Sequence, residues 1–171
     1  MTWLDSHYMR LTEYDTRVQS YTSMPQVNLL TAGNLFFALF DNNVTPDKDA
    51  LTTLSAYTGT TSTFQAAGGA TGTNQVFQVG QWAQGGIVVP SPTMAVFAGG
   101  IVQFSSGALQ SGAAATMSNI YGGIHYFTLA TGGGQTKPIL GYWYFGGTPF
   151  GVTSGLLTIT PNANGWSRVT T

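Results

Sequence analysis

From Asn34 onward the chain is a succession of short runs rich in branched and aromatic residues, each closed by a cluster of Gly, Pro, Thr or Ser. That punctuation limits the fold more than any other feature, because short β-rich runs at such spacing are the signature of a sandwich or barrel. The runs read "NLFFALF" (34–40), "NQVFQVG" (74–80), "GGIVV" (85–89), "MAVFAGGIVQF" (94–104), "ATMSNIYGGIHYFTL" (115–129), "PILGYWYFG" (138–146), "GLLTITP" (155–161) and "GWSRVTT" (165–171). Strands in this number suit two packed layers, so the expected fold is all-β: a two-sheet antiparallel sandwich, jelly-roll-like. Two glycine pairs, Gly99–Gly100 and Gly122–Gly123, interrupt the runs, where glycine marks a bulge or a bend that aims a strand into the second sheet. A phosphate-binding loop would need a strand-to-helix context and a nearby lysine, and neither is present.

The first residues have a different character. Asp5, Arg10, Glu13, Asp15 and Arg17 crowd together, whereas residues 50–136 contain no Asp, Glu, Lys or Arg. Leu4, Tyr8, Leu11, Tyr14 or Asp15, Val18 and Tyr21 recur at helical spacing. With Thr2 and Asp5 resembling a capping box, the pattern predicts a helix from about Trp3 to Gln19. The alternative is an extended arm lying on a partner, which would reach ~75 Å against ~35 Å for a helix. Pro25 and Gly33 can open and close one short helical turn, a hinge between an arm (1–27) and a body (28–171).

The stretch "LFDNNVTPDKDALTTL" (39–54) holds three of the six acidic residues. As a calcium loop starting at Asp41 it fails, because Pro46 falls where the glycine belongs and Thr52 where the bidentate glutamate belongs. A looser cation site using Asp41, Asn43, Asp47 and Asp49 competes with a backbone explanation, and the backbone explanation is the more detailed. Asn42 and Asn43 suit a turn, Thr45 can cap a helix, Pro46 can open it, and Asp47 and Asp49 favour the positive end of its dipole. One short helix over 46–58 is therefore expected after the first strand, and no metal site is assigned.

Catalytic groups are scarce. All six carboxylates lie within the first 49 positions, so a paired-carboxylate site in the β body is not expected. The histidines are His7, in the arm, and His125, alternating with aromatics in "GGIHYFTL". His125 reads as a half-buried packing residue rather than a triad member, since nothing local supplies a partner. Arg10, Arg17, Lys48, Lys137 and Arg168 are scattered and balanced by acids, which argues against nucleic acid as a partner. In "GYWYFGG", alternation sends Tyr142 and Tyr144 to one face and Trp143 and Phe145 to the other. At least one pair is expected in the core, with a neighbouring subunit or a glycan as the candidates to meet the other.

At 171 residues one domain is expected, and 22 aromatic side chains supply its core. Without cysteine there is neither a disulfide framework nor a thiolate metal site. The N-terminus has no secretion-signal pattern and no run is long enough to span a membrane, so no membrane partner is expected. The net charge of −1 has two readings: a neutral domain kept soluble by Thr, Ser, Asn and Gln, or a surface largely covered in an assembly.

The order of "NLLTAG", "LFFALFDNNVTPDKDALTTL", "NIYGGIHYFTL", "PILGYWYFG" and "GLLTITPN" resembles small virion proteins of tailed bacteriophages, among them β-sandwich capsid decoration (cement) proteins. The resemblance spans most of residues 28–162 and leaves the arm uncovered. It implies a non-enzymatic structural protein without cofactors, made in the host cytoplasm and placed on the capsid exterior. Its implied partners are the major capsid protein and itself, as a homotrimer. In that setting Trp3, Tyr8, Arg10, Tyr14 and Arg17 are the expected capsid-docking residues, through aromatic burial and ion pairs. Tyr142, Trp143, Tyr144 and Phe145 are the candidates for oligomer or glycan contact. A tail or fibre component carrying a glycan-binding sandwich is the alternative, and a hydrolase centred on His125 is the third reading.

Overall fold

The computed structural model describes residues 2–3, 30–31, 33–43, 74–97, 101–127 and 139–170. Those residues form strands joined by turns, and no helix occurs among them. In chain order the strands are β1 (Thr2–Trp3), β2 (Leu35–Phe40), β3 (Gln75–Val76), β4 (Ile87–Val88), β5 (Thr93–Phe97), β6 (Ile101–Ser105) and β7 (Leu109–Gln110). They continue as β8 (Ala115–Ile120), β9 (Gly122–Phe127), β10 (Ile139–Tyr144), β11 (Phe150–Gly155), β12 (Thr158–Ile159) and β13 (Ser167–Thr170). Every pairing between them is antiparallel.

The largest sheet runs β1-β10-β9-β2-β3, with β4 also pairing to β2. At its centre β2 lies against β9 from Leu35↔Phe127 to Phe40↔Gly122. The remaining strands form three small sheets, β11-β8, β12-β7 and β13-β6-β5.

β2 is buried on both faces, which explains why its sequence is a continuous apolar run rather than an alternation. Leu35, Phe37 and Leu39 enter one core with Phe104 of β6, Leu109 of β7, Met117 and Ile120 of β8, Ile159 of β12, and the indoles of Trp82 and Trp166. All three small sheets thus contribute to the core on that face. Ala38 and Phe40 belong to a second core with Ile124 and Tyr126 of β9 and Tyr142 of β10, flanked by Phe36 and Tyr121.

The glycine pair of β9 makes both cores possible. A Cβ on Gly123 would overlap the Phe37 ring, and one on Gly122 would overlap the Phe40 ring and the Trp143 carbonyl. Two large rings therefore lie directly on the β9 backbone, one on each face. The chain also changes sheets beside this pair: β8 pairs with β11, β9 pairs with β2 and β10, and Asn119 adopts φ 59° in the crossover. Asparagine tolerates that left-handed conformation better than most residues.

Several expectations are corrected. "MAVFAGGIVQF" is a hairpin rather than one bulged strand, since Thr93–Phe97 pairs with Ile101–Ser105 from Phe97↔Ile101 outward. "NQVFQVG" shrinks to two strand residues followed by a tight turn, closed by the Gln78↔Trp82 bridge. "FGVTSG" (150–155), which carried no strand expectation, is β11. Trp3, expected to begin a helix, is extended and pairs with Gly141. The unpaired edge of β10 offers backbone partners at once, whereas a helix must first form a costly nucleus. The rest of the expected helix and the short helix over 46–58 lie outside the described residues.

Phe37→Ala should lower the unfolding free energy by about 3–5 kcal/mol, the usual cost of deleting a buried ring. Gly123→Ala should cost about 1–3 kcal/mol by overpacking the same contact. Because deleting the ring removes the clash, denaturant unfolding of the double variant should show less than the sum of the two losses.

Candidate binding surface

Two aromatic groups, one sealed and one open, account for most of the chemistry available. In the sealed group, register places His125 opposite Phe37, so both rings share the face of the larger core. The imidazole is enclosed edge-on by Phe37 at 4.7 Å, Trp166 at 5.0 Å, Trp143 at 5.4 Å and Phe104 at 5.8 Å between ring centroids. It has no solvent exposure, and neither Nδ1 nor Nε2 has a hydrogen-bond partner. Burial pushes its pKa down to about 3, so the ring is neutral at ordinary pH. The half-buried residue expected from sequence is fully buried, and Asp41, one of the carboxylates a triad could have used, is bonded to Asn43 instead. Trp166 differs from its neighbours in satisfying its indole, donating from Nε1 to Ser106 Oγ at 2.6 Å, whereas Trp82 and Trp143 leave theirs unpaired.

The open group lies where β2 ends, β9 begins and β10 ends. The Tyr121 amide donates to the Phe40 carbonyl, and the Phe145 amide donates to the Tyr121 carbonyl. Three segments distant in sequence are thereby fixed side by side. Tyr144 contacts Tyr121 at 5.2 Å, Tyr142 at 5.7 Å and Phe40 at 6.0 Å, each edge-to-face. Tyr142 is buried, Tyr121 half-buried, and Tyr144 is 40% exposed. Partial burial, then the nearby phenols of Tyr142 and Tyr121, raise the Tyr144 pKa and keep it a protonated hydroxyl.

Beside these rings sits the start of the acidic stretch. The Asp41 carboxylate accepts from the Asn43 backbone N–H at 2.9 Å and from Asn43 Nδ2 at 3.0 Å, an Asx-type turn that commits both oxygens to Asn43. Asn119 Nδ2 donates to Asn42 Oδ1 at 2.9 Å, tying the turn to the β8–β9 crossover. Asp41 and Asn43 thus serve turn geometry, and no group of three metal-ligating side chains occurs among the described residues. Asp47 and Asp49 lie outside them.

No protein-family model, curated protein or solved structure matches the chain.

Of the arm candidates, Trp3 is placed in β1 on the edge of the large sheet, and Tyr8, Arg10, Tyr14 and Arg17 lie outside the described residues. The four aromatics of β10 and its exit divide as alternation predicts. Trp143 and Phe145 pack against the larger core, Tyr142 is buried in the smaller one, and Tyr144 reaches solvent. Sequence reasoning passed over Tyr121 and Asn119. Their signal was position: Tyr121 sits at the break between β8 and β9 directly before the glycine pair, and Asn119 is the penultimate residue of β8.

His125 makes stability acid-sensitive. An unfolded histidine titrates near 6.5, and the folded ring resists protonation down to about 3. Its contribution is therefore complete above pH 6.5 and is lost as pH falls toward 3, by about 1.4 kcal/mol per pH unit. Urea unfolding at pH 7 and pH 4.5 should differ by about 2–3 kcal/mol from this residue, and His125→Leu should flatten that difference.

Proposed function

We propose that the protein is a non-enzymatic structural protein of a tailed-bacteriophage virion, a cement protein that binds the outer capsid surface and stabilises the shell. In this reading the small sheets and the large sheet are the two layers of a jelly-roll-like sandwich. The body self-associates as a homotrimer, and the arm, residues 1–27, docks on the major capsid protein. The protein would be made in the host cytoplasm and end on the capsid exterior.

The observation that carries this reading is how the acid–base groups are used. Asp41 is the sole carboxylate among the described residues and is spent on its own turn, while His125 is sealed from solvent without a partner. Among the described residues the surface is dotted with apolar side chains: Val79 is 85% exposed and Leu156 52% exposed, with Val88 and Met94 also open. Such a surface favours packing against copies of itself or a shell, where modest contacts are multiplied by symmetry. The resemblance in "LFFALFDNNVTPDKDALTTL", "NIYGGIHYFTL" and "PILGYWYFG" points the same way.

Native mass spectrometry should find a trimer, and Val79→Asp or Leu156→Asp should shift it toward monomer. Added to undecorated heads, the protein should bind in hundreds of copies per particle, a number set by shell symmetry, and raise the temperature at which the particles open. A handful of copies confined to the tail would overturn the capsid assignment.

A further inference from the structure

We infer that the exposed part of the Tyr144 ring, with Tyr121 and the carboxamides of Asn42, Asn43 and Asn119, forms a binding surface for a neutral carbohydrate. The inference rests on this end of the sheet alone and stands whether or not the protein belongs to a virion.

The ring is held ready. Edge-to-face contacts from Tyr121, Tyr142 and Phe40 fix Tyr144 at 5.2–6.0 Å centroid separations while leaving 40% of it exposed. A platform already immobilised loses little side-chain entropy when a ligand lands on it. The negative face of an aromatic ring attracts weakly positive C–H groups, and a pyranose presents a whole face of them.

The carboxamides of the rim are uncharged. Asn43 uses Nδ2 on Asp41, and Asn119 uses Nδ2 on Asn42 Oδ1. Those bonds leave Asn43 Oδ1, Asn119 Oδ1 and Asn42 Nδ2, two acceptors and one donor group, to meet sugar hydroxyls. The Tyr144 phenol stays protonated and adds a further donor.

Charged ligands fit less well. The sole Lys or Arg among the described residues is Arg168, on β13 in another sheet, so nothing described here pairs with a sialic acid or sulfate. The rings contact one another edge-to-face, and the Asp41 carboxylate that could have neutralised a quaternary ammonium is engaged by Asn43.

The full-length chain should be applied to a glycan array holding neutral, sialylated and sulfated oligosaccharides, with choline as a competitor. The strongest neutral hit should then be titrated calorimetrically. Neutral glycans should be retained, choline should not compete, and Tyr144→Ala should weaken binding about tenfold or more. Tyr144→Phe, which keeps the ring, should lose less than about threefold, and Thr158→Ser, exposed on β12 in another sheet, should bind normally. Asn119→Ala tests the rim separately and carries the experiment should Tyr144→Ala fail to fold; a loss of about threefold or more is expected. Retention of no neutral glycan, preference for the anionic ones, displacement by choline, or unchanged affinity in Tyr144→Ala or Asn119→Ala would each overturn the inference.

Discussion

The Phe37 ring is the contact around which the fold is arranged. It meets His125, Trp166, Trp143, Phe145 and Trp82, with centroid separations from 4.7 to 6.5 Å. Those residues come from β9, the segment entering β13, β10 and its exit, and the turn before β4. One side chain thus links strands of the large sheet to the segments that cover it. The arrangement requires a bare backbone at Gly123, so the sequence element that looks weakest, a glycine pair inside a strand, is what admits the largest ring cluster. Burial of aromatic area in such clusters supplies stabilisation that a chain with 6% charged residues cannot obtain from ion pairs.

The same economy governs the polar groups. Glutamines and asparagines take the places where other proteins set charges. Gln78 Oε1 accepts from the Thr116 amide and Gln81 Oε1 from the Ala114 amide, so the tight turn beside Trp82 is stapled to β8 and the loop before it by neutral groups. Ser111 Oγ accepts from the Leu157 amide where β7 and β12 meet. Neutral staples can be buried without the desolvation cost that a carboxylate or ammonium incurs. The exposed end of the large sheet inherits this character, since its rings and carboxamides offer shape and hydrogen bonds rather than a field.

How much of this was legible in the sequence varied with the range of the interaction. "NLFFALF" and "PILGYWYFG" announced β2 and β10 because their apolar content is local, and the facing of Tyr142 to Phe145 followed from strand alternation. The β11 run "FGVTSG" was invisible because it is mostly exposed, with small residues and no apolar period. The Gly99–Gly100 and Gly122–Gly123 pairs look alike in sequence, yet one lies between the two strands of a hairpin and the other admits rings. Only the partners across the sheet distinguish them. The open tyrosine group was half legible for the same reason: Tyr144 stood out, whereas its meeting with Tyr121 and Asn42 depends on β2, β9 and β10 being neighbours in space.

That non-local pairing also sets a schedule. β2 is completed at Phe40, but its central partner ends at Phe127, so a ribosome adding ~5–20 residues per second leaves "LFFALF" without β9 for on the order of ten seconds. During that interval the edge of this strand that β9 will cover stays unpaired, although β3 and β4, both complete by Val88, can already pair with the other edge. Folding dominated by such distant pairings is slow, and exposed edges invite association with other chains. The cell that makes this protein must therefore shelter a segment whose sequence is optimised for a place that does not yet exist.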